Sequence, residues 1–232
     1  MAPPESLSER LIAALPAGSD TLFNPWRQHC QFDAQGNGPD ARRRRLAMHL
    51  DCSPRFILVG EAPGYQGARY TGVAFTSERL VLERAIPRVP QGLSRLSSRD
   101  RPFSEPSATI VWRQLYRLGI AESTVLWNAL QLHPMKPGNP WSNRTPTDAE
   151  LRGGERALRL LLEVFPAATV LCVGRKAEQL LADMRVASAG TLRHPANGGA
   201  TQFAEGLAAA VAAESSTSSK VASRACNPNT PS

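Results

Sequence analysis

An α/β protein built on a parallel sheet is the fold class that this sequence predicts, on three observations. Short apolar runs rich in β-branched residues stop abruptly at Gly or at a polar loop, as in Phe56-Ile57-Leu58-Val59-Gly60, Thr124-Val125-Leu126-Trp127-Asn128 and Ala168 to Val173. Segments with helical periodicity stand between them. The apolar runs do not alternate with polar residues, which fits strands covered on both faces and joined by right-handed crossovers.

The elements follow in order. Leu7 to Leu15 have helical spacing behind Ser6, a capping residue, and Arg42 to Leu50 form a second helix that ends near Cys52-Ser53-Pro54. The first strand starts at Phe56. Gly64 to Phe75 form an irregular loop, and Ser77 caps a helix to about Ala85 with Glu78 in its first turn. Residues 86 to 107, rich in Pro, Ser and Arg, are expected as a surface excursion. A helix from Ala108 to Leu118 leads through Gly119 to the second strand. Thr147-Asp148-Ala149-Glu150 opens a long amphipathic helix to Val164, which Phe165-Pro166 ends. The third strand precedes Gly174 and a helix from Lys176 to Met184. A weaker strand, Ala187 to Leu192, stops at His194-Pro195, and Gln202 to Ala213 form the last helix. From Glu214 the Ser, Thr, Asn and Pro content is too polar to pack. Residues 1–213 are therefore expected as one domain and 214–232 as a disordered tail.

The length of 232 residues and hydrophobic content of 42% suit one globular domain with a substantial core. Cys30, Cys52, Cys172 and Cys226 form no CxxC pair, so free thiols are expected and neither a disulfide framework nor a zinc module. The first residues lack a signal-peptide pattern, and no apolar run approaches membrane-spanning length. The expectation is a monomer in the bacterial cytosol or nucleoid, without membrane contact. A net charge of +7 points towards a polyanion such as DNA. The run Arg42-Arg43-Arg44-Arg45 reads as a solvated helix face or as a nucleic-acid contact.

Three strands end in loops of unusual chemistry: Gly60-Glu61-Ala62-Pro63-Gly64, Asn128 running to His133-Pro134, and His194-Pro195. Carboxyl ends of parallel strands share one edge, where ligands bind in open α/β sheets, so Glu61, Asn128 and His194 can converge. Gly60 and Gly64 leave room for a ligand at the backbone, and Pro63 stiffens the turn. Taken alone, the first loop reads equally as an ordinary strand-to-helix turn.

These motifs resemble the uracil-DNA glycosylase superfamily, and most of all its family 4 branch. Gly60 to Gly64 has that branch's GEAPG form, and Gly72-Val73-Ala74-Phe75 matches its G-x-P-F element. Asn128-Ala129-Leu130-Gln131-Leu132-His133-Pro134 resembles N-V-V-K-C-R-P, Asn143-Arg144-Thr145-Pro146-Thr147 matches N-R-T-P-T, and His194-Pro195-Ala196 resembles H-P-S/A. The matches keep their order over roughly residues 55 to 210.

The resemblance implies a three-layer α/β/α sandwich with a central four-stranded parallel sheet. It also implies an enzyme that flips a uracil out of DNA and hydrolyses its N-glycosidic bond, in base-excision repair. Phe75, otherwise a core residue, would stack on the base. Asn128, otherwise a turn residue, would pair with uracil O4 and N3–H. His194 would donate to uracil O2 as the leaving base gains charge. Gly60, Pro63 and Gly64 would line the pocket, and Glu61 and Ala62 would stand on its water side. Asn143, Arg144 and Asn197 would meet DNA.

The chain also departs from the family. Other branches carry a water-activating Asp or Asn at the position of Ala62, and alanine cannot act as a base. The acidic pair usual after GEAPG is replaced by Tyr65-Gln66-Gly67-Ala68-Arg69-Tyr70-Thr71, so Tyr65 or Tyr70 is a candidate to shape the pocket. Family 4 enzymes hold a four-cysteine iron–sulfur cluster, whereas here Leu132 replaces one cysteine and only Cys30 lies in the N-terminal region. The expectation is no cofactor and no metal, with Trp26 or Trp141 packing that region instead. The loop Ala196 to Ala200 offers no bulky wedge, which favours single strands over duplexes. A catalytically weak or inactive DNA-binding protein on the same scaffold is the competing reading. A nucleotide-binding hydrolase ranks last, because the chain has neither a P-loop nor a GxSxG elbow.

Overall fold

The computed structural model describes residues 5–89 and 94–225. In chain order the elements are α1 (Leu7–Ala13), β1 (Leu22–Phe23), α2 (Pro39–Leu50), β2 (Phe56–Gly60), α3 (Ala68–Thr71), α4 (Glu78–Leu82) and α5 (Pro106–Arg117). A single 3₁₀ turn (Ala121–Ser123) leads into β3 (Thr124–Asn128), β4 (His133–Pro134), α6 (Asp148–Val164), β5 (Thr169–Val173), α7 (Arg175–Asp183), β6 (Gly190–Leu192) and α8 (Ala200–Ala225). The main sheet has four parallel strands in the order β3-β2-β5-β6, and β1 pairs antiparallel with β4 beside it.

Helices cover both faces of the sheet, giving the expected three-layer α/β/α sandwich. Side chains alternate across β2, so Phe56 and Leu58 join one core with Trp112 and Leu115 of α5 and Phe203 and Leu207 of α8. Ile57 and Val59 point the other way, into a core with Leu11, Leu46, Leu158 and Leu180 from α1, α2, α6 and α7. Register matters for the site. Gly60 lies opposite Asn128, and pairing continues past the strand ends through Ala129 N–H to Gly60 O at 2.7 Å and Leu130 N–H to Glu61 O at 2.9 Å.

Two short helix ends follow local rules. Ser6 and Glu9 form a capping box on α1, and Thr147 and Glu150 form one on α6. Ser77 precedes α4, but its hydroxyl makes no cap bond, and α4 ends at Leu82 rather than near Ala85.

Two expectations are corrected. The arginine run is not one solvated face: Arg42 and Arg45 are buried and Arg43 and Arg44 exposed, because positions 42, 45, 46 and 49 form the inner stripe of α2. Arg42 donates to the carbonyls of Pro25, Asn37 and Gln28 and to Asp33 Oδ1 at 2.7 Å, and Arg45 donates to the carbonyls of Tyr70 and Thr71 and to Asn37. Neither guanidinium is open to a nucleic acid. The described residues of 86–107 are not a surface excursion either, since Ile86, Val89, Leu96 and Phe103 are buried, and residues 90–93 lie outside the described residues. The buried carboxylate of Glu78 ties the stretch down, accepting from the backbone N–H of Leu96, Ser97 and Phe103 at 2.9–3.1 Å and from Arg95 Nε at 2.8 Å. Separately, α8 is continuous from Ala200 through Ala225. No Gly or Pro interrupts the chain between Gly206 and Ala225. Residues 226–232 lie outside the described residues.

Candidate active site

A cavity of about 530 Å³ opens where β2, β3 and β6 end. Its wall includes Glu61, Ala62, Pro63, Gly64, Phe75 and Asn128, and also Asn143, Arg144 and His194. The strand ends therefore converge as parallel topology requires. Gly60 and Asn197 are the exceptions among the expected site residues: Gly60 is buried behind Phe75 and the Asn128 amide, and Asn197 occupies an exposed turn at φ 53° beyond the cavity wall.

Gly60 sets the floor. A β-carbon there would lie 2.4 Å from Phe75 Cζ and 2.8 Å from Asn128 Oδ1, so only Gly lets the ring and the amide crowd this strand end. Phe75 sits at φ 48°, a conformation rare for an aromatic residue, and Trp112 Nε1–H holds its carbonyl at 2.9 Å. Asn128 is only 6% exposed, yet its carboxamide has no hydrogen-bond partner among the described residues. Its donor and acceptor are free for a ligand. The turn beneath it is fixed by Gln131, whose amide donates to the carbonyls of Asn128 and Ala129 at 2.5 and 3.3 Å.

His194 faces Phe75 with ring centroids 6.4 Å apart. Its Nδ1 accepts the N–H of Ala196 at 3.2 Å, which leaves the proton of the neutral ring on Nε2. Burial, aided by the Arg193 charge, lowers its pKa, so the ring is neutral at physiological pH and offers one N–H.

Asn143 is oriented by a buried relay. Arg69 Nη1 donates to His133 Nδ1 at 2.9 Å, so the His133 proton sits on Nε2, facing the Ser142 carbonyl at 2.9 Å and Asn143 Oδ1 at 3.1 Å. Tyr65 N–H also donates to Asn143 Oδ1, at 3.0 Å. These two donors claim the oxygen and leave Nδ2 beside Gly64. Burial, with the Arg69 charge, brings the His133 pKa down to about 4. Arg144 lines the cavity, but its guanidinium is engaged by Glu150 at 2.6 and 2.8 Å. That contact lowers the Glu150 pKa to about 2.

Neither candidate tyrosine lines the cavity. Tyr70 is buried against Phe103 at 4.9 Å, and Tyr65 meets the edge of the same ring. Gln66 and Ala68 take their place in the wall.

The wall also holds Ala62, which brings no proton chemistry, and Glu61, whose carboxylate has no hydrogen-bond partner among the described residues. Burial raises the Glu61 pKa and the Lys176 charge opposes it. Glu61 also borders an adjoining groove of about 830 Å³ with Arg175, Lys176 and Arg193. Sequence reading missed these cations, although they stand just after strand ends. It also missed Glu105, which precedes α5 within the Pro- and Ser-rich stretch and reaches the cavity wall.

The residues present do not fit an iron–sulfur cluster. Among the described residues no three His, Cys, Asp or Glu side chains gather to hold a metal. Cys30 is a buried free thiol against Arg69 Nη2 at 3.5 Å and the Tyr70 hydroxyl at 3.6 Å. Trp26 stacks on Trp127 with centroids 6.3 Å apart, and Trp141 packs on Phe32 at 4.4 Å and donates to the Tyr70 hydroxyl. Both tryptophans thus pack the N-terminal region against the sheet and the site loops.

An aromatic ring, an amide without a hydrogen-bond partner among the described residues and an imidazole N–H border one cavity at the edge of a parallel α/β sheet. Residues 48–221 match the Uracil DNA glycosylase superfamily, and the chain belongs to that superfamily. Among solved structures, the crystal structure of wild-type Pedobacter heparinus SMUG2 shares its fold, with 18% identity and a TM-score of 0.60 over 90% of this chain and 98% of that one. No curated protein matches the chain. Membership connects the chain to glycosylase-type hydrolysis and to DNA as its partner. No helix among the described residues is long and apolar enough to cross a membrane.

Proposed function

We propose that this chain is a monofunctional DNA glycosylase that excises uracil from DNA, with single strands preferred. The carrying observation is the meeting of Phe75, the unpaired Asn128 amide and the neutral His194 N–H in one cavity. The base stacks on Phe75, and such stacking contributes about 1–3 kcal/mol. Asn128 pairs with uracil O4 and N3–H, a pattern that cytosine mismatches. His194 Nε2–H donates to O2 as negative charge gathers on the leaving base, an interaction strongest in the transition state. Arg175, Lys176 and Arg193 in the adjoining groove suit the flanking phosphates.

The test is excision from single- and double-stranded oligonucleotides carrying uracil, hypoxanthine or xanthine, read as strand cleavage after alkali. Uracil strands should be cut. His194→Ala should lower the single-turnover rate about 10²–10³-fold while DNA binding survives. Ala62 favours a second reading, a DNA-binding protein that has lost catalysis. That reading holds instead if the wild type binds uracil strands and leaves them intact.

A further inference from the structure

Resting on the excision reading, we propose that Glu105 is the general base that activates the attacking water, in place of the carboxylate or amide that Ala62 lacks. Glu105 is the N-cap residue of α5, yet its side chain does not cap that helix. It turns towards the loop after β2 instead. Its carboxylate packs so closely on Gly67 that a β-carbon there would lie 2.0 Å from Oε2. Ser107 Oγ donates to Oε1 at 2.8 Å and fixes the plane of the group.

The placement relative to the loop carries the assignment. A β-carbon on Gly64 would fit at van der Waals distance, 3.7 Å from Asn143 Nδ2, 3.9 Å from Asn143 Oδ1 and 4.0 Å from Glu105 Oε1. The Asn143 amide and the Glu105 carboxylate therefore border one small gap in the cavity wall. The Asn143 amide is turned donor-inward by the Arg69 and His133 relay, so it can hold a water oxygen while Glu105 accepts a water proton. Glu61, the other carboxylate in the wall, has no hydrogen-bond partner among the described residues and borders two cavities.

In the step, Glu105 takes one proton from water as the water oxygen bonds to C1′ of the flipped nucleotide. The C1′–N1 bond breaks, and its electron pair leaves with the base, whose O2 receives the His194 hydrogen bond. The proton then passes from Glu105 to solvent, so no further reactant is needed. Burial raises the Glu105 carboxyl pKa and Ser107 opposes it, which moves the base towards neutral pH. The other ionisable groups on this cavity are Glu61, His194 and Arg144, the last held by Glu150.

The experiment compares wild type, Glu105→Gln, Glu105→Ala and Ser107→Ala in single-turnover excision from a single-stranded uracil oligonucleotide, with binding read by anisotropy. Glu105→Gln should lose about 10²–10³-fold in rate while binding changes less than about threefold. The wild-type rate should fall at acid pH, Glu105→Gln should lose that limb, and formate should partly restore Glu105→Ala. Ser107→Ala, which keeps the base but frees its plane, should slow excision less than Glu105→Gln does and displace the acid limb to higher pH. This holds the proposal to account even if a Glu105 variant fails to fold. A Glu105→Gln rate within about threefold of wild type, or an unmoved limb in Ser107→Ala, overturns the assignment and leaves the excision reading standing. An inactive wild type overturns both.

Discussion

Replacing Gly60 by alanine tests whether the floor of the cavity is set by the strand or by the ring above it. The new β-carbon would stand 2.4 Å from Phe75 Cζ and 2.7 Å from Cε2, where carbon contacts settle near 3.5–4.0 Å. The ring must retreat by about 1 Å, since the strand cannot. Gly60 O is locked to Ala129 N–H at 2.7 Å, and Phe75 is pinned through Trp112 Nε1 at 2.9 Å. Overpacking of this kind costs about 1–3 kcal/mol of stability. Displacing the stacking face removes up to the same amount of base binding, and about 1–3 kcal/mol is roughly a 5- to 150-fold loss in kcat/KM. Urea unfolding and single-turnover excision measure the two effects. The control is Phe75→Ala, which removes the ring clash and leaves only the 2.8 Å approach to Asn128 Oδ1, so Gly60→Ala should there cost clearly less than in the wild type. A Gly60→Ala cost that is equal in both backgrounds, or absent in both, would refute the reasoning.

Two further expectations follow from buried charge. His49 is buried and neutral, its Nε2 accepting Leu126 N–H at 2.9 Å, and burial lowers its pKa to about 3, as burial beside Arg69 brings His133 to about 4. Both folded-state values lie below the unfolded imidazole value, so the unfolded chain binds more protons across this window. Stability is therefore full above about pH 6.5 and falls as the pH drops towards 4, by roughly 3 kcal/mol for each ring, and urea midpoints that stay flat from pH 7.5 to 4.5 would contradict it. Arg42→Ala, which strands Asp33 and several buried carbonyls, should destabilise by about 3–5 kcal/mol, whereas Arg44→Ala on the exposed face should stay within about 0.5 kcal/mol. Equal melting shifts for the two variants would show that the run acts as one surface after all.

The strands were legible because both faces are covered, which makes each an unbroken apolar run ending at a polar loop. Strand order was not legible, but the convergence of Asn128, Glu61 and His194 did not need it, since every parallel strand delivers its carboxyl end to one edge. Charge misled where burial decided. Arg42 and Arg45 look like solvent groups by composition, and only their helical spacing with Leu46 and His49 signals an inner face. Glu105 was hidden for the opposite reason. It sits in a stretch whose Pro and Ser content reads as loop, and the Pro106 that marks the first turn of α5 was the available clue.

The site's polar groups share one device, which is that each proton has been given a fixed address. Ala196 N–H occupies His194 Nδ1, and Arg69 occupies His133 Nδ1, so each ring presents its single proton from Nε2. The His133 proton and Tyr65 N–H then occupy the Asn143 oxygen, and its amide faces the cavity as a donor. Desolvation keeps both rings neutral, which prevents a second proton from reversing those directions. Fixed donors need no reorganisation when charge develops on a leaving group. The same network reaches Cys30 through Arg69 and Trp141 through Tyr70, in the region where the resemblance would place cluster ligands. Arg69 thus serves two neighbourhoods at once, directing the Asn143 amide through His133 and packing against Cys30 beside Tyr70 and Trp141.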